Sequence, residues 1–151
     1  MIRVTRLTDY GIVLLTRFAQ EEVGSVHSAR ELSGESGIPL PTVSKILKAL
    51  TRGGLLLSQR GTQGGYRLAR APADISVAAV VEALEGPIAL TECSTEDSTD
   101  CGIETSCPVR TNWQQITDAI RGALEAVSLE SMRPEFPLHT ESAPTEPKQS
   151  S

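Results

Sequence analysis

Three cysteines stand close together in this chain of 151 residues, at Cys93, Cys101 and Cys107. Thiolates ligate iron–sulfur clusters and zinc alike. In a reducing compartment, clustered cysteines serve metal or redox chemistry more often than structural disulfides, and an odd number fits poorly with a disulfide framework. Neither a Cys-x-x-Cys pair nor a neighbouring histidine is present, which disfavours a zinc ribbon or finger. Cys107 precedes Pro108, which can open a helix, so its sulfur is expected at a helix N-terminus, where the dipole favours a thiolate. The plainer alternatives are three packing thiols, or a metal-free thiol switch. The two histidines, His27 between helices and His139 in the tail, read as surface residues rather than ligands.

The elements that must position the cysteines follow from periodicity. Leu7, Tyr10, Gly11, Leu14, Leu15 and Phe18 recur at helical spacing, which predicts a first helix to about Gln20. Ser28-Ala-Arg-Glu31 has the form of a capping box and opens a short second helix with Leu32 inward. Gly37-Ile-Pro-Leu40 is a turn, and Pro41 suits the first turn of a third helix whose buried stripe is Val43, Ile46, Leu47 and Leu50. Two short runs, Leu55–Arg60 and Tyr66–Arg70, flank Gly61-Thr-Gln-Gly-Gly65 and read as a β-hairpin. A fourth helix, Ser76–Glu85, turns Val77, Val80, Val81 and Leu84 inward. After the cysteine loop, Pro108 is expected to open a long helix running to about Ser131, with Val109, Trp113, Ile116, Ile120 and Val127 as a heptad-like seam suited to a second copy of the chain. The expected fold is mainly α with a small β-hairpin: a winged helix-turn-helix with a long C-terminal dimerisation helix. Residues 1–72 form the DNA-binding module and 73–107 a linking helix and cysteine loop. Residues 108–132 form the dimerisation helix and 133–151 a disordered tail.

Charge divides along the same line. The net charge is −5, yet residues 1–72 hold ten Lys/Arg against five Asp/Glu, and residues 73–151 hold four against fourteen. The basic half points to a polyanion partner. Helix, short helix, turn, helix, hairpin is the order of a winged helix-turn-helix, in which the third helix reads the major groove. Its outward residues are Thr42, Ser44, Lys45, Lys48 and Arg52, and the hairpin adds Arg60, Thr62, Gln63 and Arg67. These are hydroxyls, amides and cations suited to phosphates and base edges. A solvated helix face is the alternative for each lysine alone. No apolar run is long enough for a membrane span, and the N-terminus lacks the unbroken apolar block of a signal peptide. A cytoplasmic location is therefore expected. No phosphate loop, nucleophile–base arrangement or paired catalytic carboxylates suggest an enzyme.

Several stretches carry a family resemblance: Leu7-Thr-Asp-Tyr-Gly11, Pro41-Thr-Val-Ser-Lys-Ile-Leu-Lys48, Arg60-Gly-Thr-Gln-Gly-Gly-Tyr-Arg-Leu-Ala69 and the three-cysteine loop. Over about residues 1–132 the chain resembles the Rrf2 family of regulators, its IscR-like and NsrR-like members included. Gly86-Pro-Ile-Ala-Leu-Thr-Glu-Cys93 and Cys107-Pro-Val-Arg-Thr-Asn-Trp113 resemble the regulators of SUF-type iron–sulfur assembly. The resemblance implies a homodimer on a palindromic DNA operator, with a cluster on Cys93, Cys101 and Cys107 setting DNA affinity and cluster-assembly genes as targets. IscR-like members place a histidine ligand where this chain has Arg110, which stays protonated and cannot ligate. NsrR-like members use an aspartate of the first helix, and Asp9 stands there, which implies Asp9 as fourth ligand to a 2Fe–2S or 4Fe–4S cluster. Capping or charge-stabilising the start of helix 1 is the competing role for Thr8-Asp9, and Glu92, Glu96, Asp97, Asp100 and Glu104 are rival carboxylates. A nitric-oxide sensor of NsrR type, a cluster-free redox switch and a cluster carrier that does not bind DNA remain alternatives.

Overall fold

Helix α1 (Arg6–Gln20) starts at Thr5, whose hydroxyl accepts the Thr8 N–H, and buries Gly11, Leu14, Leu15, Phe18 and Ala19 on one face. The cap is therefore Thr5, not the Thr8-Asp9 pair that the sequence suggests. Asp9 sits in the first turn beyond it, and Thr8 is buried and otherwise engaged. The computed structural model describes residues 3–91 and 107–133. Cys93, Cys101, the loop carboxylates from Glu92 to Glu104, His139 and the expected tail from residue 134 onward lie outside the described residues.

Helix α2 (Ala29–Ser36) carries the expected capping box: Ser28 accepts from the Glu31 N–H, and the Glu31 carboxylate accepts from the Ser28 N–H. It ends at Gly37, whose φ of 73° is cheap only for glycine. Helix α3 (Leu40–Arg52) buries Val43, Ile46, Leu47 and Leu50, the stripe read from the sequence. Strands β1 (Leu56–Gln59) and β2 (Gly65–Leu68) pair antiparallel, Leu56 opposite Leu68 and Gln59 opposite Gly65, leaving residues 60–64 as the tip.

Helix α4 (Val77–Glu85) is capped by the Ser76 hydroxyl and buries Val77, Ala78 and Val80. Val81 and Leu84, expected inward, are half-buried. The last helix, α5, is shorter than expected, Arg110–Glu125 rather than Pro108 to Ser131. Pro108 and Val109 form a turn before it. Past Ala126 the chain leaves the helix to bridge back: Val77 N–H donates to Val127 O at 2.8 Å, and Leu129 N–H to Ile75 O at 2.7 Å. Leu129 thereby enters the core, and burying a leucine is worth roughly 1.5–3 kcal/mol, more than a further exposed helical turn. One core joins Leu14, Leu15, Phe18, Leu32, Val43, Ile46, Leu47, Leu50, Leu55, Leu56, Ile75, Val80 and Leu129.

His27 is buried, not a surface residue. Its ring stands edge-on to Phe18 at 5.0 Å, with Nδ1 3.4 Å from Glu31 Oε1 and Nε2 3.5 Å from Glu21 Oε2. Its backbone pairs with Tyr66 in both directions, at 2.9 and 2.8 Å, so it pins the hairpin to the α1–α2 junction. Gly65 lies so close to the His27 carbonyl that any side chain there would collide with it.

Candidate nucleic-acid interface and cysteine segment

Helix α3 and the hairpin tip present the basic face. Lys45, Lys48, Arg52, Arg60, Thr62 and Gln63 are exposed, while Thr42 and Ser44 are half-buried at the start of α3. Among the described residues no carboxylate pairs with Lys45, Lys48, Arg52 or Arg60, whereas Arg17 is tied to Glu35 at 2.6 Å and Arg121 lies beside Glu82 and Asp118. The first turn of α3 has no side-chain cap and no acidic residue. Its positive dipole end suits a phosphate, although Pro41 brings no N–H and the Thr42 and Val43 N–H groups both donate to the Pro39 carbonyl.

Two clefts flank this helix. One, of about 400 Å³, lies between α3 and the hairpin and is lined by Lys48, Thr51, Arg52, Ser58 and Tyr66. The other, of about 320 Å³, is lined by Arg6, Leu7, Tyr10, Pro39 and Thr42, so the first turn of α1 flanks the first turn of α3. Arg6, Thr51, Ser58 and Tyr66 are members of this surface beyond the residues expected from the sequence. Thr51 stands one turn beyond Lys48 and was findable from helical spacing. The others arrive only through tertiary packing.

Of the four residues expected to hold a cluster, Cys107 and Asp9 are described. Cys107 is a half-buried free thiol. Its carbonyl accepts the Arg110 N–H at 3.5 Å, and it stands two residues before the helix cap Val109, a step further out than Pro108 alone suggests. Asp9 is exposed, and among the described residues its carboxylate makes no hydrogen bond or ion pair. No group of three or more His, Cys, Asp or Glu among the described residues is arranged to hold a metal ion.

The stems of the cysteine segment are firmly held. Glu85, last residue of α4, accepts at Oε1 from the Thr5 N–H (3.0 Å), the Thr5 hydroxyl (2.6 Å) and the Thr8 hydroxyl (2.6 Å). Burial pushes its carboxyl up, but these three donors outweigh it and hold the group below the usual carboxylate range. Arg121 of α5 donates to the Ile88 carbonyl at 3.2 Å. An apolar stripe lies exposed along α5 and its cap: Val109, Trp113 and Ile116 are 45%, 40% and 45% exposed among exposed polar neighbours, and only Thr117 of this helix is buried.

Comparison with known proteins agrees with this layout. The family model for Rrf2, described as an iron-dependent transcriptional regulator, matches residues 4–135. The HTH-type transcriptional regulator NsrR of Halalkalibacterium halodurans is 27% identical over 131 residues, 87% of this chain and 90% of that protein. The structure of IscR from T. potens superposes with a TM-score of 0.62 at 27% identity, covering 87% of this chain and 85% of that one. CymR of B. subtilis, described as its global cysteine regulator, shares the fold, with a TM-score of 0.66 at 24% identity over 88% of this chain and 97% of that one. No helix among the described residues is long and apolar enough to cross a membrane. A basic recognition helix and hairpin on a winged-helix core, matched from end to end of that core, make this chain a member of the Rrf2 family of DNA-binding transcription regulators.

Proposed function

We propose that the protein is an iron–sulfur-cluster-sensing regulator, acting as a homodimer on a palindromic operator and controlling SUF-type cluster-assembly genes. The observation that carries this reading is how the cysteine segment is attached. It leaves the last turn of α4, which is tied to α1, and returns at the foot of α5, whose apolar stripe faces outward.

The donor chemistry fits such a group. Three thiolates in one segment are soft ligands of the kind that hold iron–sulfur clusters. Cys107 is a free thiol, and the Asp9 carboxylate is unengaged among the described residues. Cys93, Cys101 and Cys107 would hold the group, with Asp9 of the partner subunit as fourth ligand, in the NsrR-like manner. When bound, a 2Fe–2S or 4Fe–4S cluster supplies an iron- and redox-dependent crosslink among these ligands. The chain's own part is to set the two recognition helices at a fixed spacing. Lys45, Lys48, Arg52 and Arg60 neutralise phosphates, while Thr42, Ser44, Thr62 and Gln63 approach phosphates and base edges. The stripe Val109, Trp113, Ile116, Ile120 and Val127 buries against a second copy. Residues 1–72 would supply the DNA-binding unit, 73–107 the sensing link and 108–132 the dimer contact, inside the cytoplasm.

Anaerobic purification with iron and sulfide counting and Mössbauer spectroscopy tests the reading. The wild-type chain is expected to hold iron and sulfide, and Cys93→Ala, Cys101→Ala and Cys107→Ala each to lose most of the iron while keeping the helical circular dichroism. Zinc, no metal, or full iron in all three variants overturns it.

A further inference from the structure

Three successive residues of the last turn of α4 seat it on two elements, α3 and α1. Ala83 rests on Gly53, the C-cap of the recognition helix α3, where an added Cβ would stand 2.6 Å from the Ala83 Cβ. Leu84 lies over Gly11 in α1, so closely that a methyl there would collide with it. Glu85 holds Thr5 and Thr8 at the head of α1. Gly86 and Pro87 follow at once, and Ile88 is held by Arg121 from α5. Whatever pulls on the chain between residues 86 and 91 therefore pulls on a turn seated on both α1 and α3.

Two of these seats are apolar, glycine against a small or flexible side chain, and carry no directional bond. The Glu85 contact is directional: three short hydrogen bonds converge on one carboxylate oxygen, two of them from hydroxyls. It adds a directional hold on the first turn of α1 to the core packing of Leu7 and Tyr10. That turn carries Asp9, and Arg6, Leu7 and Tyr10 share a cleft with Pro39 and Thr42 at the base-reading end of α3. Close-packed elements shift as bodies between discrete arrangements rather than deforming continuously, so a displaced first turn of α1 displaces the start of α3.

We propose that Glu85 is a positioning residue that transmits the state of the cysteine-bearing segment to α1 and through it to the recognition helix. The proposal rests on the cluster reading above. Glu85 touches neither a proposed ligand nor the DNA-facing surface. Its role is to keep the difference in operator affinity between the cluster-loaded and cluster-free chains, whichever form binds more tightly. Couplings between two sites in one protein are typically about 5- to 150-fold in affinity.

The test uses the full chain and an operator selected by the wild-type protein from random double-stranded DNA. Operator affinity is measured for loaded and cluster-free forms of the wild type, Glu85→Ala, Glu85→Gln and Thr8→Val, with iron content and visible spectrum recorded for each. In parallel, hydrogen exchange is followed at the amides of residues 6–11. The wild type is expected to show at least a fivefold affinity ratio and a change in exchange on loading. Glu85→Ala and Thr8→Val should bring the ratio below about twofold and abolish the exchange change while keeping iron. Glu85→Gln, which keeps an acceptor oxygen, should restore most of the ratio. If Glu85→Ala folds poorly, Thr8→Val decides, because valine nearly conserves the volume. Full iron with a wild-type ratio in the alanine and valine variants overturns the inference alone, as does a wild-type chain whose α1 amides ignore loading. A wild-type chain that holds no iron overturns the cluster reading and the inference with it.

Discussion

The Thr8 hydroxyl reaches the Glu85 carboxylate at 2.6 Å across 77 residues of sequence, and Thr8 is fully buried where they meet. This bond closes α1 onto α4 and sets a pH dependence. Glu85 is held below its usual value in the folded chain, so the ionised form is the one that folding favours. The tie contributes fully above the unfolded-state carboxylate range and is lost as pH falls through the lower, folded-state value. Thermal melts of the cluster-free chain should show Glu85→Gln less stable than wild type near neutrality, with the gap closing as pH drops below about 4. Thr8→Val should cost about 1 kcal/mol near neutrality, as expected for a lost hydrogen bond. A gap that does not change with pH contradicts the assignment.

Asp9 and Thr5 separate ligand from cap. Thr5 caps α1, so Thr5→Ala should destabilise the cluster-free chain by about 1 kcal/mol. Asp9→Asn keeps the side-chain shape and should shift apo-protein stability by less than about 1 kcal/mol, the scale of a first-turn charge. If Asp9 is a ligand, the same substitution should alter the visible and Mössbauer spectra. An unchanged spectrum would turn attention to Glu92, Glu96, Asp97, Asp100 and Glu104.

The basic face predicts a salt signature. Lys45→Ala, Lys48→Ala and Arg60→Ala should each lower the slope of log affinity against log salt by about one unit if the side chain meets a phosphate. A base-edge contact should instead cost roughly 1–3 kcal/mol and relax sequence choice at one position. A triple variant with wild-type affinity and slope would place the DNA elsewhere.

Dimerisation through α5 is tested by Ile116→Asp with Ile120→Asp. Ile116 is exposed in the single chain and Ile120 half-buried, so the charges should leave the winged-helix core folded. Sedimentation should show monomers, and operator affinity should collapse because one reading head remains. A double variant that sediments as a dimer rejects the seam.

The hairpin anchor gives a further test. Gly65 meets the backbone of His27 with no room for a methyl. Gly65→Ala should destabilise the chain by about 1–3 kcal/mol, as overpacking does, and weaken DNA binding by moving Arg60, Thr62 and Gln63 away from α3. An alanine variant that matches the wild type in melting and binding would show that the hairpin tolerates the displacement.

Local signals were legible because they are written in neighbouring residues. The Ser28–Glu31 box, Pro41 in the first turn of α3 and the Val43, Ile46, Leu47, Leu50 stripe need only short spacing rules. Contacts that depend on distant segments were not legible. His27 looks like a loop histidine until Tyr66 pairs with it and Phe18 covers it. The Thr5 and Thr8 hydroxyls both donate to Glu85, and Thr5 is the cap because its backbone is extended just before the helix, which the short-range spacing of Thr8-Asp9 did not reveal. Periodicity carried the last helix too far, since it cannot see that Leu129 gains more from the core than from helix. The outward stripe of α5 was readable as apolar, but its exposure in the single chain follows only from the packing of α4 against its other face.

Leu129 also fixes an order of events during synthesis. Chains emerge from the ribosome N-terminus first, at about 5–20 residues per second. The core that supports α3 counts Leu129 among its buried members, so the DNA-reading head cannot be complete until residue 129 has emerged. By then Cys93, Cys101 and Cys107 have all been made. A nascent chain thus has all three thiols in hand before it owns a finished surface for the genome.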